Sequence, residues 1–359
     1  MTTPKGPAGA GSGPERTLSP PVFFGSLALI APFLAFALLA PGPAETLFAA
    51  SLAWITRTFG WFYVLTVAGL LVFVLWLGLG RFGHVRLGPD DARPEFSTRA
   101  WFAMLFSAGM GIGLLFFGVA EPMMHYAAPP LGDGGTEDAA RSALALTFFH
   151  WGPHAWGIYA TMGAALAYFH FRRGLPLTLR SVLYPLFGER IHGPLGHAVD
   201  VLAVWGTLFG LATSLGLGAM QVGAGLEHLF GVANEPALQV GLIAAITLAA
   251  TASVVSGLDK GIKLLSQANV GLGLALFVFV LLAGPTLLLF DLFADALGRY
   301  LGTLAERSLS TDAFGDGAWH ASWTHFYWGW WIAWAPFVGT FIARVSKGRT
   351  LRELVLGVL

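Results

Sequence analysis

The sequence contains no cysteine, which excludes disulfides, thiolate metal sites and thiol nucleophiles. Charge is scarce as well. Only 11% of the 359 residues are Asp, Glu, Lys or Arg, and the two signs cancel, whereas a soluble domain carries about a quarter of its residues as charges. No phosphate loop, nucleophile motif or basic patch for nucleic acid is present. The apolar stretches hold no acid–base pair suited to catalysis, so an enzyme is not expected. What replaces charge is hydrophobicity, at 55% of residues and a mean hydropathy of +0.68. Crossing a hydrocarbon core takes roughly 20 apolar residues. Runs of about that length or longer recur at 21–41, 61–80, 100–122, 142–171, 196–230, 237–257, 266–290 and 320–345. The composition is that of an all-α polytopic membrane protein.

Basic residues divide unevenly between alternate connections. One side receives Lys5, Arg16, Arg81, Arg86, Arg93, Arg99, Arg172, Arg173, Arg180, Arg190, Lys260, Lys263, Arg344, Lys347, Arg349 and Arg352; the other receives Arg57, Arg141, Arg299 and Arg307. The positive-inside rule puts the first set and the N-terminus in the cytoplasm. Residues 1–20, rich in Pro, Gly and Ser, read as a disordered tail. The longest connections, 123–141 and 291–319, are acidic and read as external loops. The stretches 172–195 and 347–359 mix basic and apolar residues and read as pieces lying along the membrane surface.

Three stretches carry candidate chemistry. In "WFAMLFSAGMGIGLLFFGVAEP" the alternate glycines Gly109, Gly111 and Gly113 each cost about 1 kcal/mol in a helix interior. Local unwinding there is inexpensive. Unwound backbone at membrane depth is tolerated where it lines a cavity or is buried in protein, and broken helices hold solute and cation in secondary carriers. The competing reading is close helix packing on small residues. In "FFHWGPHAWGIY", Trp151, Trp156 and Tyr159 lie within a turn or two on a helix that Pro153 kinks. In "WTHFYWGWWIAWAPFVG", Trp330, Trp331 and Trp334 crowd one broad side before Pro336. Trp323, Tyr327 and Trp328 are assigned to the interfacial aromatic belt. The deeper tryptophans suit a quaternary ammonium group, which gains roughly 0.5–2 kcal/mol per ring from cation–π attraction and needs no counter-carboxylate.

The stripe Gly206, Gly210, Ser214 and Gly218 repeats small residues every four positions, as close helix packing requires. Thr207, Thr213 and Ser214 offer hydroxyls for a hard cation or for bonds to their own helix. Glu121, beside Pro122, reads as a cap or loop contact in preference to a cation ligand. His150 and His154 are four apart, a spacing metal ligands use, without a carboxylate or thiolate near them in sequence.

Together "AGMGIGLLFFGVAEP", "FFHWGPHAWGIYA", "ATSLGLGAMQVGAGL" and "FYWGWWIAWAPFVGTFIARVSKGR" resemble the betaine/choline/carnitine transporter family over roughly residues 20–359. The resemblance implies a leucine-transporter-like fold of twelve spans with two five-helix inverted repeats, truncated here after the eighth span, so the chain is expected to be a fragment. The implied organisation is a tail (1–20), two peripheral spans (21–99), the first repeat (100–290), an external loop (291–319), the first helix of the second repeat (320–346) and the start of an interfacial helix (347–359).

Matched motif to motif, the resemblance assigns substrate contacts to Trp330, Trp331, Trp334, Trp151, Trp156, Tyr159, Met110, Gly111 and Gly113. It assigns sodium contacts to Ser107 and Met110 at one site and to Thr207 and Phe337 at a second. Leu211 stands where a second threonine is expected at that second site. Gly113 occupies a position that is acidic in proton-coupled choline carriers of the family. The implied activity is sodium symport of glycine betaine or a related quaternary-ammonium osmolyte by a homotrimer in the inner membrane, under osmotic regulation, with no cofactor beyond the coupling ion. The alternatives are a proton-coupled choline carrier and a membrane sensor that binds osmolyte without moving it.

Overall fold

A computed structural model describes residues 18–109, 111–256 and 263–359. Residues 1–17, Met110 and residues 257–262, among them Asp259 and Lys260, lie outside the described residues. The elements are α1 (Pro20–Leu39), α2 (Pro41–Leu79), α3 (Thr98–Gly109), α4 (Ile112–Ala127), α5 (Glu137–Trp151), α6 (Pro153–Ala167), α7 (Tyr184–Phe187), α8 (Pro194–Phe230), α9 (Pro236–Val255), α10 (Lys263–Ala283), α11 (Thr286–Leu309), α12 (Ala318–His320), α13 (Phe326–Val345) and α14 (Leu351–Val358). No β-strand occurs among the described residues beyond one isolated bridge between Arg86 and Thr350.

Among the described residues, α1, α2, α8, α9 and α10 contain segments long and apolar enough to cross a membrane unbroken. Two further hydrophobic runs are interrupted. The run 100–122 divides into α3 and α4, and the run 142–171 divides at Gly152 into α5 and α6, because Pro153 has no N–H to continue the ladder and is suited to a first helical turn. The run 320–345 becomes α13, preceded by a π turn over Ala321–His325.

The structure corrects several boundaries. The expected second span is the C-terminal half of a 39-residue helix, α2, roughly 58 Å long at 1.5 Å per residue. The 291–319 loop is mostly helix, since α11 runs over Thr286–Leu309; its acidic residues masked the apolar stripe between them. The 347–359 segment contains α14, which opens on a capping box between Thr350 and Glu353. Its apolar face is covered by protein. Leu354 and Val355 are fully buried, and α14 packs against α2, α3 and α6.

Helix α13 is the axis of the core, packed along α6 and crossed by α8. Tryptophan and glycine set that contact. A Cβ on Gly163 would come within 2.6 Å of Ile342 Cγ2, and one on Gly339 would overlap Met162. Beyond α13, the turn into α14 is clasped to the α2–α3 connection. The Leu87 N–H donates to the Arg349 carbonyl (2.8 Å), the Gly348 N–H to the Leu87 carbonyl (2.8 Å), and Arg344 makes two bonds to Glu95 (3.0 and 2.9 Å). Those bonds from Arg344 hold the Glu95 carboxyl below its ordinary range.

Gly339→Leu is expected to lower the melting temperature of the detergent-purified protein by several degrees, since overpacking a tight contact costs about 1–3 kcal/mol. Gly241→Leu, at a position with no heavy atom within 4 Å of the added Cβ, should leave it unchanged. Equal effects would show that the α6–α13 crossing does not depend on the small residue.

Candidate functional site: an indole-walled cavity at a helix break

Between α3 and α4 the backbone leaves the helix. Gly111 takes extended dihedrals (φ −95°, ψ 177°) and precedes the first residue of α4. Its neighbours in the glycine series do different work. Gly109 ends α3 and lies under Trp156, whose ring a Cβ would overlap; Gly113 lies inside α4, where a Cβ would stand 3.0 Å from Trp330 Cη2 and 3.2 Å from Trp151 Cη2. Gly111 alone of the three has open space beside it, with nothing within 4 Å. Unwinding and close packing, competing readings of one motif in the sequence, are thus divided between its residues.

A cavity of about 280 Å³ opens at this break. Its lining includes Gly109, Gly111, Gly113, Trp151, Trp156, Tyr159, Trp330, Trp331 and Trp334, from α3, α4, α5, α6 and α13. Trp330 and Trp331 stack at 4.7 Å and 16°, and Trp151 stands edge-on to Trp331 at 4.9 Å and 72°. Tyr159 meets Trp331 at 6.2 Å and Trp156 at 5.7 Å. Helix α8 closes the wall with Leu211, Ser214 and Leu215. Gly210 leaves room for Trp334, and Gly206 approaches the Ala333 carbonyl, so the four-residue stripe serves close approach to α13. Among the described residues, no Asp, Glu, Lys, Arg or His lines the cavity.

The indoles are held in place by hydrogen bonds as well as packing. Trp331 Nε1–H donates to the His150 carbonyl (3.2 Å) and Trp151 Nε1–H to Glu121 Oε2 (2.7 Å). Glu121 is fully buried and is not the cap or loop contact expected. Its Oε2 also accepts from the Tyr327 hydroxyl (2.6 Å), while Oε1 lies 2.6 Å from His150 Nδ1 and 3.2 Å from His125 Nε2. His150 Nε2 in turn meets Thr324 Oγ1 at 3.0 Å. Glu121, His125 and His150 offer ligand atoms within 4.8 Å of one another, but Trp151 and Tyr327 already occupy one carboxylate oxygen. The network fixes an indole of the cavity wall. The pairing considered in the sequence, His150 with His154, does not form: His154 Nε2 meets Ser308 Oγ at 2.8 Å and its ring stacks on Trp328.

The belt assignment also changes. Tyr327 and Trp328 are 0% and 1% exposed, packed in the core, and Trp323 lies against His125 and Phe117. Sequence reasoning missed this cluster because its members lie up to 206 residues apart. The available signal was an acid within an apolar run, a rare and costly placement.

The cation-site candidates separate. Thr207 and Phe337 share a second cavity of about 640 Å³ with Arg180 and Asp200, which pair at 2.5 Å. Ser107 lies on α3, two residues before its end, and lines neither cavity; Met110 lies outside the described residues. Thr213 and Ser214 donate to the Phe209 and Gly210 carbonyls, each at 3.0 Å, back-bonds within α8.

Gly111→Leu should fill the open space at the break, abolishing solute binding while leaving the melting temperature within about a degree, as expected where no close contact is disturbed. Gly206→Leu should do the reverse, lowering the melting temperature more than affinity. Equal loss of stability in both would return the glycine motif to packing alone.

The model of the BCCT, betaine/carnitine/choline family transporter, matches residues 21–359. The chain is 51% identical to an uncharacterized transporter of Mycobacterium tuberculosis, over 96% of this chain and 59% of that protein. It is 47% identical to a glycine betaine transporter of Acinetobacter baylyi, over 95% of this chain and 52% of that protein. It is also 47% identical to a high-affinity choline transport protein of Escherichia coli, over 95% and 51%. The chain thus spans about half to three-fifths of the length of these relatives. A nearly all-helical bundle with several apolar helices agrees with that likeness, and the chain belongs to the betaine/carnitine/choline family of transporters.

Proposed function

We propose that the protein imports glycine betaine, or a close quaternary-ammonium zwitterion, by sodium symport. The observation carrying this reading is the cavity itself, which offers indole and phenol faces with no carboxylate or ammonium among the described residues of its lining. A trimethylammonium group donates no N–H bond and keeps its charge at every pH, so aromatic faces suit it better than acceptors do. A carboxylate at the other end of the solute has a partner too. Gly113 and Leu114 line the cavity in the first turn of α4, where N–H groups lack partners within the helix and the dipole favours negative charge.

That second feature favours a zwitterion over choline, which would leave the helix terminus unfilled. Gly113 favours it as well. A Cβ there would press on Trp330 and Trp151 at 3.0 and 3.2 Å, and glycine itself offers no carboxylate for proton coupling. On this reading sodium binds near Ser107 and Met110, with Thr207 and Phe337 as a second site weakened by Leu211. A leucine-transporter-like inverted repeat, a homotrimer, an inner-membrane location and a cytoplasmic N-terminus complete the reading.

Cells lacking their own osmolyte carriers and expressing the full gene should accumulate labelled glycine betaine in sodium buffer and not in its absence, with little uptake of choline. Trp331→Leu should weaken betaine binding roughly tenfold or more while the protein still inserts. Proton-driven choline uptake would overturn the zwitterion assignment. Saturable binding without accumulation would identify a sensor instead.

A further inference from the structure

Glu121 stands outside the indole cavity but one hydrogen bond from its wall. It does not line the cavity, and its Oε2 accepts from two rings at once, the Trp151 indole (2.7 Å) and the Tyr327 phenol (2.6 Å). Trp151 belongs to the lining and stands edge-on to Trp331, while Tyr327 stacks on Trp331 at 5.6 Å and 20°. Two aromatic rings thus connect one carboxylate to the faces that bound the cavity. Its charge follows from the proton count. His150 Nδ1–H donates to Oε1 (2.6 Å), leaving Nε2 to accept from the Thr324 hydroxyl (3.0 Å). His125 Nε2–H donates to the same Oε1 (3.2 Å), leaving Nδ1, which is buried and has no partner. A second proton on His125 would bury an N–H with no acceptor, which forfeits a hydrogen bond.

With both imidazoles neutral, the cluster holds the single negative charge of Glu121. No Lys or Arg pairs with that carboxylate within 4.0 Å among the described residues; Arg307 donates instead to Thr303 and Ser142. A buried charge without a counter-ion is costly, and in a dry site its field reaches further than in water. Hydrogen bonds polarise their donors where the dielectric is low, so an indole or phenol bonded to an anion presents a more negative face to a cation. We propose, on the reading that the indole cavity takes a quaternary-ammonium solute, that Glu121 is a specificity-determining residue for the solute head. It acts through Trp151 and Tyr327 as the counter-charge that the described lining lacks. Set one ring back, the carboxylate attracts the cation without offering an acceptor to the N–H groups of a primary amine. A trimethylammonium head is thereby favoured over an uncharged head of the same shape.

The purified full-length transporter is titrated calorimetrically, at constant sodium and pH, with glycine betaine and with 3,3-dimethylbutanoate, whose head is a neutral tert-butyl group. The readout is the ratio of the two dissociation constants, which a general loosening of the wall would not move. Glu121→Gln keeps the size of the side chain and removes its charge. The amide oxygen can still accept from Trp151 and Tyr327, and its NH2 can donate to the histidines in their other tautomers. The preference for betaine should fall about tenfold, the scale of a charge acting across one ring in a site of low dielectric. Thr324→Val, which removes a bond from the same cluster and no charge, should leave the ratio as in wild type. If Glu121→Gln fails to fold, Trp151→Phe keeps a ring on the wall and cuts its bond to the carboxylate; the preference should fall at least as far, and its retention would overturn the proposal. Wild-type preference retained in Glu121→Gln would overturn the proposal and leave the aromatic cage intact. An equal fall in Thr324→Val would overturn it by returning Glu121 to scaffolding. No preference in the wild type would instead overturn the cage, and this assignment with it.

Discussion

The cavity depends on the absence of a single carbon atom. Gly113 has no Cβ, and Trp330 and Trp151 occupy the place where one would press on them. Gly109 does the same for Trp156 and Gly210 for Trp334. Large rings therefore approach three helices as closely as backbone allows, with little conformational freedom left to them. The glycines cost helix stability, about 1 kcal/mol each in a helix interior, and the packing of broad apolar rings against backbone offsets it. A recognition site made of rigid aromatic faces is preorganised, which limits the entropy lost on binding.

The second layer of that arrangement is polar. Glu121 accepts from Trp151 and Tyr327 and meets His150 and His125, so a fully buried carboxylate is satisfied on all sides. Burial of such a group is tolerable only when its bonds are made. The same network joins α4, α5 and α13 behind the indole wall, so movement of any of these helices changes where Trp151 stands. In a carrier, which must alternate between two arrangements around one site, this connects solute contact to helix position.

Much of this was legible in the sequence because it is local. Alternate glycines marked the break at Gly111, Gly152–Pro153 marked the division of the next run, and the spacing of Trp330, Trp331 and Trp334 placed them on one side. What escaped was long-range or balanced. Glu121 finds Tyr327 only after folding, and nothing in its neighbourhood names that partner. Tyr327 and Trp328 carry the same composition as an interfacial belt, and burial alone distinguishes them. In α11, acidic and basic residues interleave with Leu and Phe, so its average polarity resembled a loop although its apolar residues follow a helical period. The segment around α14 carried an amphipathic pattern that serves equally for a membrane surface and a protein core.

The most direct measurement is calorimetric titration of the purified transporter with glycine betaine and with 3,3-dimethylbutanoate, its isostere carrying carbon in place of the charged nitrogen. Size, shape and carboxylate are matched, and the positive charge alone differs. If the indole faces recognise that charge, betaine binds about tenfold tighter or better, as several cation–π contacts in a desolvated site require. Equal affinity for the two would contradict an aromatic cage and leave the cavity a hydrophobic pocket of the same shape.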